Sequence, residues 1–116
     1  MNDQQIEQEI QAKGKTAPRV TPEDIEANIY YEVYFTAADG VCGAAMQVVP
    51  TRTELDTLTF CVLAMNNGFT VTGESACASP ENFDPEIGRK IARQNAISKV
   101  WPLMGYALKD RLAAGQ

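Results

Sequence analysis

Apolar and polar residues alternate with a changing period along the chain, and the changes mark its elements. Residues 1–20 are polar, dominated by Gln, Glu and Lys. Ile6 and Ile10 are spaced four apart, while Gly14, Ala17 and Pro18 break any helix. This stretch reads as a flexible polar tail, and residues 21–116 as a single α/β domain. Thr21 suits an N-cap, Pro22 the first helical position and Asp24 the third, so a first helix is expected to start there and run through Ile25 and Ile29. The run Ile29-Tyr30-Tyr31-Glu32-Val33-Tyr34-Phe35 is rich in strand formers and reads as extended. Ala38-Asp39-Gly40 punctuate it. Residues 41–49 are small and apolar and fit a short strand and a short helix equally, and 50–53 read as loop.

The clearest strand covers 57–65, Thr-Leu-Thr-Phe-Cys-Val-Leu-Ala-Met, with apolar side chains on both alternating faces. That pattern predicts a central strand covered on both sides. Asn66-Asn67-Gly68 then predicts a type I′ hairpin turn, which needs residues tolerant of positive φ. On the return strand, 69–77, Phe69, Val71, Gly73, Ser75 and Cys77 share one face. Thr70, Thr72, Glu74 and Ala76 share the other, more polar face, which is expected to meet a cavity or solvent. Asp84 caps a helix with Pro85 at its first position. Ile87, Ile91, Ser98 and Trp101 fall on one helical stripe, the expected core face. Pro102 is expected to end or kink this helix, and a second helix with Leu103, Ala107 and Leu108 to follow it. The fold class is therefore α/β of the α+β kind. It has a small antiparallel sheet with a central hairpin (57–65 and 69–77) packed against C-terminal helices at 85–101 and 103–113.

Charge and composition narrow the function. The net charge of −5 argues against duplex nucleic acid, whose binding draws most of its affinity from basic surface. The basic residues Arg89, Lys90, Arg93, Lys99, Lys109 and Arg111 nevertheless gather in the last third, as a solvated helix face or a local anion site. The polar start lacks the apolar stretch of a signal peptide, and no apolar run is long enough to span a membrane. Three cysteines, Cys42, Cys61 and Cys77, with no Cys-x-x-Cys spacing, fit buried free thiols in a reducing cytoplasm. The chain has no His, so Ser-His-Asp and Cys-His nucleophiles, His bases and His metal ligands are all excluded. Neither the phosphate-cradling Gly-x-x-x-x-Gly-Lys-Ser/Thr nor Gly-x-Gly-x-x-Gly occurs. Glu74, Glu81, Asp84 and Glu86 read more plainly as caps or surface acids than as catalysts. No enzymatic activity, catalytic residue, metal site or cofactor is expected.

What remains points to binding. Arg89 and Arg93 are four apart on a helix, so their guanidinium groups are neighbours. They suit a phosphate or pyrophosphate clamp, or are neutralised by acids such as Glu86. Phe83, in a polar loop before a helix, is a buried staple or a platform for a base. Asn82 beside it serves the turn or reads a base edge or ribose. Lys99 and Phe69 complete the candidate ligand-binding set of Asn82, Phe83, Arg89, Arg93, Lys99 and Phe69. Trp101 reads as core.

Four linked motifs carry a resemblance: residues 67–77, Asn-Gly-Phe-Thr-Val-Thr-Gly-Glu-Ser-Ala-Cys; Glu81-Asn82-Phe83-Asp84; residues 87–93, Ile-Gly-Arg-Lys-Ile-Ala-Arg; and Trp101-Pro102-Leu103-Met104-Gly105-Tyr106. Over roughly residues 21–112 the chain resembles a family of small phage and prophage proteins first named for gene products of a coliphage and a Shigella phage. That family is similar to the phage Thoeris anti-defence proteins. These sponges sequester, without cleaving, a cyclic ADP-ribose isomer made by bacterial TIR-domain enzymes, and some also bind cyclic oligonucleotides. The resemblance implies a non-catalytic protein of the host cytoplasm that binds a small anionic nucleotide as a homodimer or hexamer, with no membrane and no duplex nucleic acid. For such a ligand, side-chain chemistry assigns Phe83 a stacking role, Asn82 a contact to base or ribose, and Arg89 and Arg93 the phosphates. The alternative is a small acidic phage protein-interaction module that inhibits or occupies a host protein.

Overall fold

The computed structural model describes residues 2–15 and 17–115. In chain order these form α1 (Asp3–Ala12), α2 (Pro22–Ala27), β1 (Ile29–Thr36), α3 (Ala37–Ala45), α4 (Thr53–Asp56), β2 (Leu58–Met65), β3 (Thr70–Ala76), a 3₁₀ turn (Pro80–Asn82) and α5 (Pro85–Ala113). The three strands make one antiparallel sheet in the order β1-β2-β3. One face of it packs against α5. The fold is the α+β arrangement expected, with β2 of the expected hairpin as the central strand and β3 at an edge.

Local chemistry explains most boundaries. Thr21 and Asp24 form a reciprocal capping box with Pro22 at the first position of α2. The helix stops at Ala27, earlier than expected, because Ile29 already pairs with Met65 in the sheet. Asp84 accepts hydrogen bonds from the Glu86 and Ile87 amides, at 2.9 and 3.2 Å, and starts α5. The Ala38-Asp39-Gly40 segment, read as a break, lies inside α3. There Thr36 and Asp39 form another capping box and the small residues simply continue the turn. The hairpin is also of another kind than expected. Met65 donates to Phe69 O at 2.8 Å, Gly68 donates to Met65 O at 2.9 Å, and only Gly68 has positive φ, at 88°. This is a three-residue loop with glycine at the left-handed position, not a two-residue type I′ turn.

The helix expected at 103–113 is not separate: α5 runs unbroken past Pro102. A proline inside a helix costs about 3 kcal/mol, having no N–H to donate four residues back. Here the helix is held on both sides of it, since Val100, Trp101 and Met104 all pack on the core. Pro102 itself is exposed, where the lost bond can be replaced by water.

Of the expected Ile87–Ile91–Ser98–Trp101 stripe on α5, Trp101 alone packs against the core. Ile87 and Ile91 are 55% and 42% exposed, and Ser98 is exposed. The buried positions are Gly88, Ala92, Ala96 and Val100, each four residues from the last. They meet Cys61, Leu63, Met65 and Val71 of the sheet, with Ile25 of α2, to make the core. Small residues win here because the helix backbone lies almost in contact with β3. A Cβ on Gly73 would sit 2.1 Å from Ala92 O.

The strand β2 is not covered on both sides as expected. Thr59, Cys61, Leu63 and Met65 are buried under α5, but Leu58, Phe60 and Val62 on the other face are only half-buried. Register places Tyr31, Val33 and Phe35 of β1 beside Ala64, Val62 and Phe60 on that outer face. All three β1 residues are exposed. Phe35 stacks on Phe60 with ring centroids 5.5 Å apart, and α3 approaches this end through Gly40, whose Cβ would lie 3.7 Å from the Phe35 ring. Among the described residues no further layer covers the face. Of the cysteines, Cys61 is buried as expected, whereas Cys42 and Cys77 are partly exposed; all are free thiols.

Of the stretch read as a polar tail, Met1 and Thr16 lie outside the described residues, and Asp3–Ala12 form α1. Asn2 and Gln5 cap it reciprocally. Glu7 is buried and held by Arg19 Nη2 at 2.8 Å and Gln11 Nε2 at 2.8 Å. Asp3 accepts a 3.0 Å hydrogen bond from Trp101 Nε1. The bonds from Arg19, then Gln11, hold the Glu7 carboxyl down at about 2 from the ordinary 4.5. The depressed value belongs to the docked state. Its contribution is therefore complete above about 4.5 and is lost as pH falls through about 2. We expect α1 to detach over that acid range, read as a change in the fluorescence of the single tryptophan, Trp101. Glu7→Gln should detach it already at neutral pH. An acid titration in which Trp101 emission stays flat would contradict the anchoring.

Candidate functional site

The sequence candidates divide in space. Phe83 and Arg89 meet at a cleft of about 90 Å³ between the first turns of α5 and the junction of β1 with α3. Tyr34, Phe35, Thr36 and Asp39 line its other side, Pro85 the helix side, and Thr59 belongs to it from β2. Asn82, exposed in the 3₁₀ turn, stands next to Phe83 in the chain. Phe83 is half-buried and its amide donates to Pro80 O at 3.1 Å, which fixes the loop ahead of the helix.

Gly88 explains how the helix comes so close. A Cβ there would lie 3.0 Å from Thr59 Oγ1 and 3.4 Å from Phe83 Cε1. Thr59 is 3% exposed, and its Oγ1 is the buried side-chain polar atom without a hydrogen-bond partner among the described residues. Arg89 is exposed and makes no ion pair among them. The site therefore has a free guanidinium at its rim, an aromatic ring on its wall and an unsatisfied hydroxyl at its base.

Arg93 is one turn further along α5 and is engaged elsewhere. Its Nη1 and Nη2 donate to Glu26 of α2 at 3.0 and 2.6 Å, and its Nε to Glu32 of β1 at 3.0 Å. Tyr34 donates its hydroxyl to the same Glu32. Burial alone would raise the Glu32 pKa, but the bonds from Arg93 and Tyr34 outweigh it and the carboxyl is lowered. Burial, then the bond to Glu32, raises the Tyr34 hydroxyl, and burial raises Cys61 beside it. The bond to Glu26, then that to Glu32, fixes Arg93 as a cation. The two arginines of the expected clamp are thus unequal: one is paired within the fold, the other is free.

Lys99 faces Glu74 at 3.9 Å on the β3 side of α5. Phe69, 56% exposed, sits at the hairpin end of the sheet beside Leu103 and Met104. Neither lines the Phe83–Arg89 cleft. The residues that sequence reading missed are Thr59, Tyr34 and Thr36. The legible signal for Thr59 was a hydroxyl at an inward position of an otherwise apolar strand face. No group of three or more Cys, Asp or Glu side chains able to hold a metal occurs among the described residues, and no described helix is long and apolar enough to cross a membrane.

Compared with known proteins, residues 20–112 match the model of a family described as phage protein (N4 Gp49/phage Sf6 gene 66). No curated protein and no solved structure gives a match.

Proposed function

On the premise that this chain belongs to the phage protein (N4 Gp49/phage Sf6 gene 66) family, we propose that it is a non-catalytic anti-defence protein of the host cytoplasm. It binds and sequesters a small anionic cyclic nucleotide, a cyclic ADP-ribose isomer made by bacterial TIR-domain enzymes or a cyclic oligonucleotide. The observation that carries this reading is the juxtaposition of Phe83 with the unpaired Arg89 at one cleft. An aromatic face takes a base and a free guanidinium takes a phosphate. The ligand class itself comes from the resemblance to sponge proteins. Asn82, Phe83 and Arg89 are the contacts assigned to it. Arg93 holds the frame behind them.

A cleft of about 90 Å³ is smaller than a whole nucleotide needs. The bare outer face of the sheet, with Tyr31, Val33 and Phe35 exposed, offers a place for a second copy of the chain. Phe35 also lines the cleft, so a homodimer formed there would extend the site. The same face would favour a module that occupies a host protein if the chain were monomeric.

Native mass spectrometry of protein purified from cells producing a TIR signalling enzyme tests both points at once. The expected result is a homo-oligomer carrying the intact nucleotide, released unchanged by heat. Arg89→Glu should weaken calorimetric binding of that nucleotide by at least about tenfold, the loss of roughly one charge-assisted contact. A monomer without ligand, captured instead on a host protein, would replace this reading with the module.

A further inference from the structure

Thr59 is the anomaly of this fold. Native structures rarely leave a buried hydroxyl without a partner, since its desolvation is then uncompensated. Yet β2 places Thr59 Oγ1 at 3% residue exposure with no partner among the described residues, at the base of the Phe83–Arg89 cleft. Valine would fill the same volume without that cost. With glycine at position 88 no side chain of α5 is pressed onto the hydroxyl, since a Cβ there would lie 3.0 Å from Thr59 Oγ1.

We propose that Thr59 is the specificity residue of the site, and that its hydroxyl hydrogen-bonds the edge of the ligand's nucleobase. The inference rests on the nucleotide-binding reading above. A base edge suits the cleft better than a phosphate does. Phe35, Phe83 and Pro85 give it apolar walls, and Asp39 among its lining residues would repel an anion drawn inside. Arg89, which lines the cleft and makes no ion pair among the described residues, is exposed at the rim, so the phosphates stay outside while the planar, uncharged group enters. A volume of about 90 Å³ takes the edge of a base and not a whole nucleotide. A hydroxyl both donates and accepts, so it pairs with a ring nitrogen or an exocyclic group. A site built around a buried hydrogen-bonding group rejects ligands that leave it unpaired.

The test compares wild type with Thr59→Val and Thr59→Ser, using a cyclic ADP-ribose isomer in calorimetric titration and thermal melting of the free protein. Thr59→Val should melt at the same or a higher temperature, because the orphan hydroxyl is gone, yet bind about tenfold or more weakly. Thr59→Ser should bind within about threefold of wild type, having kept the hydroxyl. The inhibition constant of adenosine as a competitor should rise about tenfold from wild type to Thr59→Val, whereas that of pyrophosphate should be equal in both. If Thr59→Val binds as tightly as wild type, or melts lower with affinity unchanged, the hydroxyl is structural and the inference falls while the nucleotide reading stands. Pyrophosphate, but not adenosine, losing its effect in Thr59→Val would overturn the base assignment. Wild type that binds no nucleotide would remove the earlier reading and this one with it.

Discussion

Replacing Gly73 with alanine is expected to lower stability by at least about 3 kcal/mol, the upper range for overpacking a core. For a domain of this size that is a fall in melting temperature of roughly 15 °C, read by circular dichroism. A Cβ at this position would stand 2.1 Å from Ala92 O, 2.4 Å from Ala96 N and 2.9 Å from Ala96 Cα. All three are backbone atoms, so no side chain can swing aside. Relief would require α5 to lift off β3, which would also open the packing of Val71, Cys61 and Leu63 on the helix. Gly73 has no positive φ, so the requirement is close approach and not backbone conformation. Gly105, whose Cβ would meet nothing within 4 Å, is the control. Gly105→Ala should be neutral or slightly stabilising, since alanine is the better helix former. Equal melting temperatures for wild type and Gly73→Ala would show that the helix does not lie this close to the sheet.

Arg93→Met should cost about 2–3 kcal/mol, whereas Arg89→Met should change stability by no more than about 0.5 kcal/mol. Arg93 joins three elements, with Glu26 on α2, Glu32 on β1 and itself on α5. Its side chain is 27% exposed, that of Glu32 32% and that of Glu26 56%, so water screens part of the interaction and the loss falls below that of a fully buried pair. Methionine keeps the aliphatic length but leaves both carboxylates without their cation. The pH dependence gives a second readout. Glu32 titrates below its ordinary value in the folded state, so its contribution is present above 4.5 and is lost as the solution is acidified below that. In Arg93→Met this acid-dependent part of the stability should shrink, because the main opposing bond to burial is gone. Denaturant melts of both variants at neutral and acid pH decide the matter. Equal losses in the two would mean that Arg93 is no more structural than Arg89. The contrast also bears on function: impaired ligand retention in an Arg93 variant would reflect a disturbed frame and not a lost phosphate contact.

How far the sequence reached differs from element to element. Thr21, Asp84, Pro22 and Pro85 marked the starts of α2 and α5 because capping is a matter of a few adjacent residues. The strands at 58–65 and 70–76 and the turn between them were legible from alternation and from Gly68. The exact turn was not, since Asn67 tolerates positive φ without adopting it. The unbroken α5 could not be read, because the penalty at Pro102 is local while the packing of Val100, Trp101 and Met104 that outweighs it is tertiary. Hydrophobicity chose the wrong face of α5 for a similar reason. Ile87 and Ile91 are the more apolar residues, yet the distance to Gly73 admits only glycine and alanine.

The candidate site shows the same division. The chain by itself determined that one helix carries neighbouring arginines behind an Asn-Phe loop, that His chemistry is absent, and which phage family the chain resembles. These follow from residue identity and short spacing. Only the tertiary structure decided that Arg93 belongs to Glu26 and Glu32, partners 67 and 61 residues away, that Arg89 remains free beside Phe83, and that Thr59 lies unsatisfied beneath them. The physical reason is that pairing and desolvation depend on which distant groups come within a few ångströms, and the order of residues along a chain does not fix that until the helix has settled on the sheet.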